Sequence, residues 1–192
     1  MRRNRYSFSE IVSTIYSLVL TKLTVRNARL IRRPVYLRGR KSLVGGKGLT
    51  TGRFCRFDLN GTKKTLFIGD NCEMGDLTHL VAHERVEIGN NVLIASKCFI
   101  SDASHGSYKG EIQDPPFSPP NQRDLRTSPV RIGNNVWIGE NVVILAGAEI
   151  GDGCIVGANS IVTKKIPPAS VIVGNNRIIK RWDDDTKRWE KL

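Results

Sequence analysis

The stretch IGNNVWIGENVVILAGAEIGDGCIVGANSIVTKKIPP, residues 132–168, carries an aliphatic residue at every sixth position. Its repeats begin at Ile132, Ile138, Ile144, Ile150, Val156 and Val162. Earlier repeats begin at Ile68, Met74, Leu80, Ile88, Ile94 and Ile100, with one two-residue slip after Leu80. A period of six is neither the 3.6-residue period of a helix nor the two-residue period of a half-buried strand. The repeat therefore predicts a solenoid in which three repeats make one coil.

Each repeat is expected to form a short strand and a corner. The aliphatic first residue points inward, and Gly, Asn or Asp near the corner tolerates a positive φ. The fifth residue of each repeat is small, so one large and one small side chain per face fill a narrow triangular prism. These small residues are Cys72, Thr78, Val92, Cys98, Ser104, Val136, Val142, Ala148, Cys154 and Ser160. Three of the four cysteines lie in this position and are predicted to be buried structural thiols.

The composition is that of one globular domain with a basic arm. The 192 residues are 40% hydrophobic, and no apolar run is long enough for a transmembrane helix. The net charge of +12 is concentrated in residues 1–41, which hold eleven Lys or Arg residues and a single acidic residue, Glu10. The body is nearly neutral, and the arm lacks interleaved aromatic residues, so nucleic-acid binding is not expected.

The repeats, the segment SDASHG at 101–106 and the stretch 132–168 resemble the hexapeptide-repeat acyltransferases. More narrowly, they resemble the acetyl-CoA-dependent O-acetyltransferases that modify sugars, galactosides and bacterial polysaccharides. The resemblance covers about residues 44–181. It implies an all-β fold, the left-handed parallel β-helix, and a cytoplasmic homotrimer with active sites between subunits. It also implies acetyl-CoA as cosubstrate and no metal.

The chain is predicted to divide into three segments, the second of which is interrupted by a loop. Residues 1–43 are predicted to be a basic segment with an amphipathic helix, and residues 44–168 the β-helix domain. Residues 106–130 leave the repeat as a Pro-rich loop, and residues 169–192 form a C-terminal capping segment with a short helix.

His105 is the predicted general base, and it aligns with the catalytic histidine of the family. Transfer of an acetyl group to a hydroxyl requires a base near neutral pH, which histidine suits best. Asp102 lies three residues earlier and is expected either to orient the imidazole or to serve as an ordinary turn aspartate.

A second set of residues is expected to line the acceptor site. Asp76 and His79 precede His105 by one coil. The alternative is that both lie on a solvated face of the solenoid and contact no acceptor. The loop after His105 is expected to reach a neighbouring subunit and wall this site. Trp137 is expected to form an aromatic wall near the site. The alternative is that it only packs in an interface between subunits. The predicted acceptor residues are Asp76, His79, His83, Tyr108, Phe117, Arg123 and Trp137. The galactoside branch commonly carries Asn and Asp where this chain has Gly75 and His83, so its acceptor recognition is not carried over.

The resemblance places coenzyme A along the late coils. Small residues there are expected to let the pantetheine approach the backbone, and basic side chains to meet the phosphates. The alternative for Lys164 and Lys165 is that their charges are simply solvated and bind no phosphate. The predicted residues are Gly139, Ala146, Ala158, Thr163, Lys164, Lys165 and Arg181.

The helix predicted over residues 8–24, with Ser9 as its N-cap, has two interpretations. It either packs over the open end of the solenoid or docks to the anionic inner membrane, which would make the enzyme peripheral. Two other functions stay open. One is N-acetylation of an amino sugar. The other is a zinc enzyme of the γ carbonic anhydrase kind, with His79, His83 and His105 as ligands.

Overall fold

The computed structural model describes residues 6–192 as a parallel β-solenoid of about seven turns with three faces. Residues 1–5, the first part of the predicted basic segment, lie outside the described residues. Solenoid strands begin at Leu30 and run to Val173, so the coils extend past both predicted domain boundaries. Within residues 6–192, no helix has the length and apolar character needed to cross a bilayer.

Three parallel sheets, one on each face, make up the solenoid. Face one contains β1 (Leu30–Ile31), β4 (Thr50–Thr51), β7 (Glu73–Met74), β10 (Leu93–Ile94), β15 (Trp137–Ile138), β18 (Ile155–Val156) and β21 (Ser170–Val173). Face two contains β2 (Val35–Arg38), β5 (Cys55–Leu59), β8 (His79–Ala82), β11 (Phe99–Ser101), β16 (Val143–Ile144) and β19 (Ile161–Val162). Face three contains β3 (Leu43–Gly45), β6 (Leu66–Ile68), β9 (Val86–Ile88), β14 (Val130–Ile132), β17 (Glu149–Ile150) and β20 (Lys165–Ile166).

The core confirms the predicted packing of the prism. All twelve aliphatic residues that begin the repeats are buried, with at most 4% of any of them exposed. The small fifth residues are buried beside them, except Ser104, which leaves the coil for the loop. All four cysteines are buried and free of disulfides. Burial raises the pKa of each thiol, that of Cys55 to about 11, which makes them poor nucleophiles.

The corners use the turn chemistry that the sequence predicts. Asn141 and Asn159 adopt a positive φ of 58° and 59° between faces one and two. Phe54, Leu77 and Lys97 adopt the same conformation at equivalent positions of earlier coils, although their side chains favour it less. We call the corner between faces one and two the first corner and that between faces two and three the second corner.

The N-terminal helix α1 spans Phe8–Thr24, as predicted. Its N-cap is Ser7 and not Ser9, because Ser7 and Glu10 form a reciprocal capping box. The helix packs on the first coil through its polar side: Ser17 and Thr21 are its buried residues.

The predicted C-terminal helix is wrong. Residues 177–191 form the antiparallel strands β22 (Arg177–Asp183) and β23 (Arg188–Lys191), which extend face one beyond β21. Trp182 and Trp189 lie opposite each other with ring centroids 5.6 Å apart. The side chain of Asp183 accepts the backbone N–H groups of Asp185 and Thr186, so the acidic run makes the hairpin turn and not a helix.

Candidate active site

The predicted base, His105, lies where the chain leaves the coil at the second corner. It ends β12 (Ala103–His105), which pairs antiparallel with β13 (Leu125–Thr127) at the base of the loop. Two short 3-10 helices, Arg40–Ser42 and Pro120–Gln122, complete the secondary structure, the second of them within this loop. The side chain of His105 is exposed, and within residues 6–192 its imidazole forms no hydrogen bond. The ring is therefore available to a substrate hydroxyl.

Asp102 does not orient the His105 ring, which corrects that interpretation. It is fully buried, and its carboxylate accepts the backbone N–H groups of His83, Glu84 and Arg85 at 2.9, 2.8 and 2.7 Å. Because these bonds hold the corner of the preceding coil, Asp102 is the turn aspartate of the alternative interpretation. It fixes the position from which β12 departs.

His83 lies at the second corner, one coil before Asp102. Its backbone N–H bonds Asp102, and its carbonyl accepts the side chain of Asn60 at 3.1 Å. The His83 side chain is half-buried. Of the predicted acceptor residues on the coils, His83 is the one that shares this corner with His105.

Asp76 and His79 do not share that corner on this chain. Asp76 lies at the first corner, where its carboxylate accepts the backbone N–H of Arg53 at 2.6 Å. The His79 Nε2 atom lies 3.0 Å from the Asp58 carboxylate on face two. Both residues belong to the solenoid surface, in agreement with the alternative interpretation.

Asp58 is a residue that the sequence reasoning missed. Its carboxylate accepts a hydrogen bond from Arg56 at 2.6 Å and lies 3.3 Å from Arg38. Burial raises its pKa, but the hydrogen bonds from Arg56 and His79 and the charges of Arg56 and Arg38 outweigh that effect and hold the pKa below its ordinary value. Asp58 precedes the recognisable repeats, so no periodic signal marked it.

Two of the three predicted loop contacts hold the loop itself. The Tyr108 hydroxyl donates to the His105 carbonyl at 2.5 Å, and the Arg123 guanidinium donates to Tyr108 at 2.7 Å. Arg123 also bonds the carbonyls of Pro116 and Ser118. Both side chains are thus engaged within the loop, whereas Phe117 is 97% exposed at its surface.

The predicted coenzyme A residues divide among different edges of the solenoid. Ala146, Thr163 and Lys164 lie at the second corner, in the coils that follow His105. Gly139 and Ala158 lie at the first corner, on the opposite border of face two. Lys164 is exposed and makes no ion pair with any described residue. The predicted cofactor residues at the second corner therefore lie on the same border of face two as His105.

The remaining predicted residues lie elsewhere on the structure. The absence of a side chain at Gly139 accommodates the next coil, because a Cβ there would lie 2.6 Å from the Ala158 nitrogen. Lys165 lies on face three, 3.1 Å from Glu149. Arg181 lies in the hairpin strand β22, opposite Ser170 and Glu190. Trp137 is exposed on face one between Leu93 and Ile155, away from the corner that carries His105.

Asn176 is a second residue that the sequence reasoning missed. Its side chain accepts the backbone N–H of Thr163 and donates to the Thr163 hydroxyl, both at 2.8 Å. Asn176 lies after the last recognisable repeat, so only its residue type could have marked it as a corner residue, because asparagine tolerates the positive φ found here.

A broad depression of about 680 Å³ lies on face three, away from His105. Its charged side chains neutralise one another: Arg131 lies 3.0 Å from Glu87 and 3.3 Å from Glu149. Residues 6–192 contain no group of three or more His, Cys, Asp or Glu side chains that could hold a metal ion. The proposed three-histidine zinc site is therefore not supported.

Comparisons with known proteins agree with this fold. Residues 129–164 match the model of the bacterial transferase hexapeptide family (six repeats). The chain is 42% identical to Escherichia coli (strain K12) WbbJ, described as an O-acetyl transferase of lipopolysaccharide biosynthesis, over 97% of this chain and 96% of that protein.

Two solved structures extend the comparison. A maltose O-acetyltransferase from Clostridium difficile 630 superposes with a TM-score of 0.64, at 29% identity over 93% of this chain and 90% of that one. A galactoside acetyltransferase in complex with coenzyme A superposes with a TM-score of 0.60, at 30% identity over 78% of this chain and 70% of that one. The likeness confirms the predicted left-handed parallel β-helix.

Proposed function

Because this chain belongs to the hexapeptide-repeat O-acetyltransferases, we propose that it acetylates a sugar hydroxyl of a bacterial surface polysaccharide precursor, with His105 as general base. It is an acetyl-CoA-dependent acetyltransferase. The observation that carries the proposal is the exposed imidazole of His105, which no described residue engages, at the corner that also holds His83 and Lys164.

The reaction requires two proton transfers, one to the imidazole of His105 and one from it. The imidazole of His105 accepts the proton of the sugar hydroxyl while the oxygen attacks the thioester carbonyl. The tetrahedral intermediate then collapses, its C–S bond breaks, and the thiolate leaves as the thiol after receiving the proton from the imidazolium. The acetyl group ends on the sugar oxygen, and no acyl-enzyme forms.

Two finer features belong to this proposal. The first is a homotrimer with active sites between subunits, supported by the separation of Gly139 and Ala158 from Lys164 on opposite borders of face two. The second is a cytoplasmic enzyme in peripheral contact with the inner membrane, where polysaccharide precursors carried on lipids are accessible. The basic N-terminal segment supports that location.

The test is thiol release from acetyl-CoA with a panel of saccharides that includes amino sugars. We expect His105→Ala to lower kcat by roughly 10²- to 10⁴-fold. His83→Gln, on the acceptor side, is expected mainly to raise the KM for the saccharide. Equal thermal unfolding midpoints of the variants and the wild type exclude misfolding as the cause.

Wild-type turnover by His105→Ala would refute the role of this residue. The product distinguishes the two acetylation chemistries: hydroxylamine removes acetyl from an ester but leaves an amide intact. A hydroxylamine-resistant product would replace O-acetylation by N-acetylation.

A further inference from the structure

The helix α1 is inverted relative to an ordinary amphipathic helix on a protein surface. Its buried side chains are Ser17 and Thr21, while its large apolar side chains face away from the solenoid. The Thr21 hydroxyl accepts the backbone N–H of Ile31 at 2.9 Å, and the Ser17 hydroxyl accepts that of Arg33 at 3.1 Å. These N–H groups lie along the first coil, where no preceding coil can pair with them. Hydroxyl groups must face the coil, so the apolar side of α1 is turned outward.

The outward side forms a continuous apolar stripe along the helix. Its residues recur at intervals of three and four, which places them on one side. Between 51% and 82% of each side chain of the stripe is exposed: Phe8, Val12, Ile15, Tyr16, Val19 and Leu23. No described residue covers this stripe, although a helix of this kind is normally stabilised by burying its apolar side.

A cationic depression of about 370 Å³ lies at the C-terminal end of the same helix. Arg26, Arg40, Lys41 and Lys64 line it, and no acidic residue among those described does so. None of these four cations forms an ion pair within residues 6–192. The contrast with face three is clear, because the cations there are matched by Glu87 and Glu149.

We propose that the apolar stripe and the cationic depression together form a docking surface for a bilayer that contains anionic phospholipids. The stripe lies in the interfacial region among the acyl chains, and the depression receives headgroup phosphates. Charge favours this occupant over a second copy of the chain. A symmetric contact would bring the four cations of each copy together, whereas anionic headgroups supply the missing negative charge. This inference deepens the peripheral location proposed above and does not depend on acetyl transfer.

The experiment is sedimentation of the full chain with vesicles of phosphatidylethanolamine and phosphatidylglycerol, compared with vesicles of phosphatidylcholine alone. Ile15→Gln combined with Val19→Gln tests the stripe, and Arg26→Gln combined with Lys41→Gln tests the depression. The matched control is Leu192→Gln combined with Lys191→Gln, an exposed apolar and cationic pair at the other end of the solenoid.

We expect the wild type and the control to sediment with the anionic vesicles and only weakly with phosphatidylcholine. The stripe variant should bind more than tenfold more weakly. The depression variant should lose about fivefold in affinity for each cation removed, and added salt should weaken wild-type binding. Circular dichroism and light scattering establish that each variant keeps its fold and its assembly.

Three outcomes would overturn the inference. The first is a wild type that does not sediment with anionic vesicles, and the second is a pair of helix variants that bind like the control. The third is a stripe variant that dissociates into smaller species while the wild type does not bind vesicles. That result would assign the stripe to a contact between copies of the chain. Thiol release with a soluble saccharide is measured separately. An active enzyme that does not bind vesicles refutes only the docking surface, and an inactive enzyme that binds them refutes only the proposed function.

Discussion

At the scale of single residues, Asp102 is a buried carboxylate that holds the backbone around the proposed base without touching its imidazole. Its three backbone hydrogen bonds hold residues 83–85, and its own carbonyl accepts the N–H of Ser128 at 2.8 Å. Asp102 thus joins the coil before the loop to the residue at which the coil resumes. We regard it as a positioning residue.

We expect Asp102→Asn to lower the free energy of unfolding by about 1.5–3 kcal/mol, because an amide replaces a charged acceptor of buried N–H groups. Urea unfolding measures this loss. Turnover should fall without a change in the shape of the pH–rate profile, since the imidazole of His105 is not bonded to Asp102. A shifted acidic limb of that profile would instead show that the carboxylate acts on the ring.

The four buried thiols are expected to resist alkylation in the native protein. Their pKa values are raised by burial, that of Cys55 to about 11, so thiolate is scarce at pH 8. Mass spectrometry after iodoacetamide treatment should find no modified cysteine in buffer and four in denaturant. Rapid modification of any native cysteine would contradict the structural role predicted for it.

The sequence predicts His105 as the base but could not predict the contacts of the residues around it. A spacing of three residues relates Asp102 to His105, yet the chain turns out of the coil between them. The two side chains consequently serve different coils. The contacts of Tyr108 and Arg123 within the loop were not predictable either. Composition shows which residues a loop contains but not which of the loop's own carbonyls their side chains bond.

At the scale of elements, α1 stabilises the solenoid through two hydroxyl groups. Ser17→Ala and Thr21→Val each leave a backbone N–H of the first coil without its acceptor, and each should cost about 1–3 kcal/mol of unfolding free energy. Urea denaturation checks the cost, and hydrogen exchange should show faster exchange at Ile31 and Arg33. Ser9→Ala, at an exposed position of the helix, is the control. Variants as stable as this control would show that the helix merely rests on the coil.

The span of α1 was predictable, but its orientation was not. Apolar residues at helical spacing indicate the helix, and the usual rule then turns them toward the core. Here the neighbouring surface is a strand edge whose N–H groups have no preceding coil to bond, so hydroxyl side chains that accept these N–H groups face it instead of apolar ones. The C-terminal hairpin was missed because charged residues and two tryptophans are compatible with either element until the turn at Asp183 is known.

At the scale of the whole molecule, the six-residue period was sufficient to predict the coil, the core and the burial of three of the four cysteines. It could not predict the division of the predicted cofactor residues between two corners, because the period is the same on every face. That division leads to a prediction about assembly, since Ala158 and Lys164 border face two on opposite sides.

We expect light scattering to show a particle of three 21.4 kDa chains. We further expect His105→Ala and Ala158→Trp, each inactive alone, to recover part of the activity when they are unfolded and refolded together. Recovery follows because mixed trimers contain junctions with an intact base from one chain and an intact small residue from the next. A monomer, or inactivity of every mixture, would contradict shared sites.

The closure of the coil beneath the loop has an evolutionary consequence. Asp102 and Ser128 meet through a 2.8 Å hydrogen bond, so the stack is continuous beneath the 25 residues between them. Beyond His105, the residues that connect β12 to β13 form a replaceable cassette, braced at its base by that strand pair. New acceptor preferences can accordingly arise by exchanging this cassette while the machinery that delivers the acetyl group is inherited intact.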